Sequence, residues 1–144
     1  MSDRYIDFVN SPLGQLLAKN LGLPAPLTLD RFDAAAPVVK GGVLVGAAAG
    51  SDLTAAITQV LANIKAEVFA SADSSVHSLA SAAGLATVSY APTAEDGQKF
   101  KALVFDASGI SRSDDLKALH TFFSPVIRKL ASSARIIVIG RTPE

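Results

Sequence analysis

The chain has 144 residues, 49% apolar and 18% charged: enough polypeptide for one compact domain with a full core, and the wrong composition for a disordered segment. Its 13 basic and 13 acidic residues cancel and form no Lys/Arg cluster, which excludes an electrostatic nucleic-acid binder. Cysteine is absent, removing disulfides and thiolate metal sites; no apolar run reaches membrane-spanning length, and Met1-Ser-Asp-Arg is no secretory signal, so a cytoplasmic location is expected.

Residues 1–40 read as a helical arm and connector, and residues 41–144 as a Rossmann-like α/β domain. Tyr5, Ile6, Phe8 and Val9 lead into Asn10-Ser11-Pro12, where Ser11 is a good N-cap and Pro12 occupies the first helical position. Leu13, Leu16 and Leu17 form the apolar face, and Gly22 supplies a left-handed C-cap. Between Leu23 and Lys40 there are three prolines and no sustained period, so this connector is expected to lie extended, held by Leu27, Leu29 and Phe32.

Val43 to Ala47 is a short, wholly apolar run, as expected of a strand buried on both faces. Gly46 and Gly50 mark a turn, Ser51 or Asp52 offers an N-cap, and Leu53, Ala56, Ile57, Val60, Leu61 and Ile64 then form a helical stripe. Strand, glycine turn and helix open a βαβ unit. Residues 66–70 read as the second strand, Ser74 to Ala83 as a helix stopped by Gly84, Leu85 to Tyr90 as a third strand, and Lys101 to Asp106 as a fourth after the polar turn 92–98. Ser113 caps the next helix, with Asp114 and Asp115 in its first turn and apolar spacing from Leu116 through Leu130 to Ala131. Pro125 inside this run predicts a kink or two stacked segments. Arg135 to Gly140 is the fifth strand. The fold class is therefore a Rossmann/flavodoxin-like doubly wound parallel sheet of about five strands with an N-terminal helical arm. A last covering helix would follow the fifth strand; none is encoded here, so the chain reads as a segment of something longer.

Gly46-Ala-Ala-Ala-Gly50 lies where such folds bind phosphate on free amides at a helix N-terminus. Asp52 stands where a third glycine is wanted, and its carboxylate would repel a pyrophosphate; a small-residue packing turn accounts for the same residues. Asp73 is the acid nearest the spacing expected of a ribose-binding residue. Asp106, Ser108 and Ser111 follow the carboxyl end of a strand, where ligands bind in α/β sheets, although short polar residues also simply cap loops. The candidate cofactor-binding residues are thus Gly46, Gly50, Ser51, Asp106, Ser108 and Gly109. His77 and His120 stand singly on predicted helices, no His/Glu/Asp spacing suggests a metal, and neither a Gly-x-Ser-x-Gly elbow nor a P-loop lysine is present. Leu116, His120, Phe122, Phe123 and Ile127 are the candidate interface residues.

Four stretches, Asp7-Phe-Val-Asn-Ser-Pro-Leu-Gly-Gln-Leu-Leu-Ala-Lys-Asn-Leu-Gly-Leu-Pro24, Leu103-Val-Phe-Asp-Ala-Ser-Gly-Ile110, Phe122-Phe-Ser-Pro-Val-Ile-Arg128 and Val138-Ile-Gly-Arg-Thr-Pro-Glu144, together resemble the amino-terminal domain of the high-molecular-weight 3-oxoacyl-[acyl-carrier-protein] reductases. These are two-domain relatives of the short-chain dehydrogenases. The resemblance implies a flavodoxin-like front domain, followed by a ketoreductase domain that holds NADH or NADPH and the catalytic Ser, Tyr and Lys. Short-chain reductases need a lysine four residues after the catalytic tyrosine to lower its pKa. Here Val9 follows Tyr5 at that distance and Ala94 follows Tyr90, while Asp106-Ala-Ser-Gly109 stands in place of Asn-Asn-Ala-Gly. No catalytic residue and no cofactor are therefore expected in this segment.

The leading expectation is a non-catalytic domain of such a reductase, which packs on the ketoreductase domain, supports a homo-oligomer, or shapes the approach of an acyl-carrier protein or acyl-CoA. Two alternatives stay open: a nucleotide- or flavin-binding module built on the Gly46–Asp52 turn, and an oligomerisation module using the Leu116–Leu130 helix.

Overall fold

The computed structural model describes residues 8, 11–21, 29–31, 33–93 and 96–142. The chain divides into two units, Met1–Arg31 and Phe32–Glu144. In the first, α1 (Pro12–Leu21) begins as expected: the Gly14 amide donates to Ser11 Oγ at 3.1 Å, and Pro12 opens the helix. Leu13, Leu16 and Leu21 are exposed within this unit, as is Leu29. Gly22, Leu27 and Phe32 lie outside the described residues.

The second unit is a five-stranded, wholly parallel sheet: β1 (Gly42–Ala47), β2 (Val68–Ala70), β3 (Thr87–Ser89), β4 (Phe100–Asp106) and β5 (Leu130–Ile139), in the order β3-β2-β1-β4-β5. This is the doubly wound α/β arrangement. The order reverses between β1 and β4, so the carboxyl ends of those strands flank the topological switch point. Alternation along β1 serves two cores. Val43 and Val45 join Val68, Val104, Ile57, Leu61 and Val76 beneath α2 (Thr54–Asn63) and α3 (Val76–Ala82). Leu44 joins Phe69, Phe100, Leu103 and Val126, with Phe122 and Phe123 from α4 (Lys117–Phe123), on the opposite face.

Two expectations need correction. The buried stripe of α2 is Thr54, Ile57, Thr58 and Leu61, while Ala56 and Val60 face solvent. The predicted helix through Ala131 ends at Phe123, because Pro125 has no N–H to donate to the Thr121 carbonyl; a 3₁₀ turn (Ile127–Lys129) follows, and Leu130 already belongs to β5. Regular pairing of β5 nevertheless starts at Arg135, opposite Ala102, where the strand reading placed it, because the preceding residues bulge around Ser133 (φ +54°). Among the described residues, no helix is long and apolar enough to cross a membrane.

The C-terminus of α2 is a Schellman motif: the Ala66 amide donates to the Leu61 carbonyl and the Lys65 amide to the Ala62 carbonyl, both at 3.0 Å. Its left-handed position carries Lys65 (φ +53°), although glycine is the residue that adopts this conformation without strain. Lys65→Gly is expected to stabilise the fold by about 0.5–1 kcal/mol, read as a higher urea midpoint. A lower midpoint would contradict the assignment.

Candidate functional site

The switch point is built around one carboxylate. Asp106 ends β4 opposite Ala47 at the end of β1, and it is completely buried. Its Oδ2 accepts from Thr54 Oγ1 at 2.7 Å; its Oδ1 accepts from the Ser108 hydroxyl at 2.6 Å and from the Ser108 amide at 3.0 Å. The Leu53 amide donates to the same carboxylate. Burial alone would push this acid up, but the hydrogen bonds from Ser108 and Thr54 and from the two amides together outweigh it and hold the carboxyl below its ordinary range. Asp106 is thus an ionised, fully satisfied anion.

Its neighbours close the remaining gaps. The Asp52 amide donates to Ser108 Oγ at 3.0 Å. Ser51 Oγ donates to the Asp106 carbonyl at 2.9 Å and accepts from the Gly109 amide at 3.2 Å. The Ser51 amide turns back to the Ala48 carbonyl at 3.2 Å. The amides of Ser51 and Asp52, in the turn before α2, and of Leu53, its N-cap, are therefore engaged within the chain. Neither Ser51 nor Asp52 caps α2 by its side chain, as the sequence suggests: Leu53 is the N-cap residue, and it has no side-chain cap bond. The Asp52 carboxylate instead pairs with Arg141 on the surface.

The candidate glycines have separate roles. Gly50 (φ +75°) makes the turn, as expected. Gly46 lies inside β1, not in the turn; a Cβ there would strike the Phe122 ring and fall 3.2 Å from that of Phe105. Gly109 seats the two loops against each other, since a Cβ would lie 2.6 Å from the Ser51 nitrogen and would overlap the Ala49 carbonyl oxygen. Of the residues singled out from sequence, Gly50, Ser51, Asp52, Asp106, Ser108 and Gly109 thus meet at one place. Ser111 lies outside this lattice, its amide donating to Asp115 at 3.3 Å. Thr54 was missed; its position in the 54-57-58-61 spacing is the signal that could have found it.

Beside the switch point, on the α4 face, lies a groove of about 800 Å3. Leu44, Gly46, Phe105, Phe122 and Tyr90 line it, with Asp73, Asp114, Asp115 and Lys117 among its polar residues. At one end, Tyr90 Oη donates to Asp96 Oδ2 at 2.7 Å, Lys129 pairs with the same carboxylate, and Lys129 Nζ also donates to the Thr93 carbonyl at 2.7 Å. Lys129 and Tyr90 together hold the Asp96 carboxyl well below the usual carboxylate range. Burial, and then the neighbouring Asp96 carboxylate, push the Tyr90 phenol well above its ordinary value. That shift, from burial and then Asp96, is opposite in sign to the one a reductase tyrosine requires, and the Lys129 charge meets the carboxylate. In an Asp96→Asn variant, the Tyr90 phenol should ionise at lower pH, as read by ultraviolet titration in a Tyr5→Phe background. An unchanged titration would contradict this account.

His77 ties three elements together: Nε2 lies 2.9 Å from the Ser71 carbonyl, which can only accept, so Nδ1 accepts from the Thr87 hydroxyl at 2.6 Å in the neutral ring. His120 is exposed and lines a shallow hollow with Phe123 and Ile127. The candidate interface residues split: Phe122 and Phe123 stack on Phe105, with ring centroids 5.0 and 6.0 Å away, whereas Leu116 and Ile127 are exposed. Among the described residues, no three His, Cys, Asp or Glu side chains are grouped as metal ligands. No protein-family model matches the chain, and no curated protein matches it.

Proposed function

We propose that this chain is a non-catalytic Rossmann-like domain of a cytoplasmic 3-oxoacyl-[acyl-carrier-protein] reductase. It packs on a ketoreductase domain of the same protein, supports a homo-oligomer, or shapes the approach of an acyl-carrier protein or acyl-CoA. The parent reduces 3-oxoacyl thioesters to 3-hydroxyacyl thioesters, with NADH or NADPH held in the other domain. The observation that carries this reading is the Asp106 carboxylate, which already occupies the anion seat at the start of α2 through Thr54, Ser108 and the Leu53 amide. A dinucleotide would have to displace a buried, fully bonded charge to reach those amides. The Tyr90 phenol, pushed above its ordinary value by burial and then by Asp96, supports the reading from the side of catalysis. The link to that reductase family rests on the four resembling stretches.

Two experiments separate the parts of this reading. The isolated chain, given an acetoacetyl thioester with NADH or NADPH, is expected to show no turnover; measurable reduction would overturn the non-catalytic assignment. The coding sequence beyond Glu144 is expected to encode a Gly-rich turn and a Tyr-x-x-x-Lys pair, and a downstream domain without them would overturn the assignment to a reductase. The nucleotide- or flavin-binding alternative predicts at least micromolar binding of FMN, NAD or NADP by calorimetry, and the Asp106 carboxylate buried against Thr54 at the start of α2 argues against it.

A further inference from the structure

The groove on the α4 face has a size, an apolar body and a charged rim that together specify a ligand class. Its volume of about 800 Å3 falls within the range of small-molecule sites. Leu44, Phe105 and Phe122 supply apolar surface, and Gly46 deepens the floor, since any side chain there would meet the Phe122 ring. The rim is acidic. Asp73 enters from the β2–α3 loop, Asp114 and Asp115 from the segment before α4, and among the described lining residues Lys117 is the single cation. The Asp115 carboxylate accepts the Ser111 and Arg112 amides, and Asp114 lies 3.8 Å from the Arg112 guanidinium in an exposed pair, so neither acid is neutralised by a buried partner.

We propose that this groove binds a small molecule with an apolar, ring-sized body and a protonated amine. The body lies against Phe105 and Phe122, and the ammonium group faces Asp73 and Asp114. Phosphate esters and carboxylates of similar shape are disfavoured by the rim. The inference stands apart from the reductase reading, because it uses neither Asp106 nor any partner domain.

Two probes that share a body and differ in charge test it: 4-phenylbutylamine and 4-phenylbutyrate, titrated into the ¹⁵N-labelled chain at low salt. The amine is expected to produce saturable shifts at Gly46, Ala118 and Tyr90, and to bind about fivefold or more tightly than the carboxylate. An Asp73→Asn/Asp114→Asn double variant, altered only at exposed side chains, should melt like the parent chain and bind both probes equally. No saturable shift with the amine up to about 10 mM would overturn the proposal. So would equal or tighter binding of the carboxylate, or a preference for the amine that survives in the double variant.

Discussion

Asp106→Ala is expected to destabilise the chain by about 3–5 kcal/mol, the range seen when one partner is removed from a buried charged network. The substitution removes four hydrogen bonds to one buried carboxylate and leaves the Thr54 and Ser108 hydroxyls and two amides without an acceptor. Asp106→Asn keeps the shape but turns an NH₂ group toward a donor, for an expected loss of about 2–3 kcal/mol. Thr54→Val removes one donor, and Ser108→Ala one donor together with the acceptor of the Asp52 amide; each should cost less, about 1–2 kcal/mol. Urea denaturation at neutral pH measures all four, and an Asp106→Ala midpoint within error of the parent would refute the assignment. The same carboxylate sets an acid limit. Its pKa is lowered by folding, so its contribution is complete above the unfolded value of about 3.9 and is lost as pH falls through the lower folded value. Asp106→Asn should therefore flatten the pH dependence of stability below about pH 4.

Gly109→Ala is the second large effect, at about 3 kcal/mol. The obstacles to a methyl group at 109 are backbone atoms of residues 49–51, which cannot rotate away as a side-chain tip could. Relief requires the two loops to part, which breaks the bond from the Gly109 amide to Ser51 Oγ. Gly50→Ala is the control. It meets open space and bears only the strain of φ +75°, about 1 kcal/mol. Equal midpoints for the two variants would show that loop contact at Gly109 is unimportant.

The parallel sheet was legible because periodicity encodes burial. Val43–Val45 of β1, buried on both faces, follow directly from it, whereas β5, with Ile136, Ile137 and Val138 exposed, was legible from its β-branched run and not from burial. The Leu116–Leu130 segment misled because a helical spacing of apolar residues carries no record of a missing amide: Pro125 ended the helix, and Ile127 beyond it is exposed. The candidate residues at the two loops were recognised as polar groups near a switch point, and the structure brings six of them together. Their mutual satisfaction was hidden, since Thr54 and Asp106 are 52 residues apart and only the register of β1 on β4 joins them. Tyr90, Asp96 and Lys129 were illegible as a set for the same reason, as the Lys129–Asp96 pair spans 33 positions.

A helix normally loosens from its ends, where the first amides face water and exchange within moments. In α2 that weak end is bolted across the chain reversal, the Leu53 amide to Asp106 at the end of β4 and the Asp52 amide, just ahead of the helix, to Ser108 in the loop beyond. Those two protons should therefore be as slow to trade with deuterium as amides of the central strands, and should be released only when the whole sheet comes apart. A site shaped to grip a visitor has become, in this molecule, a rivet.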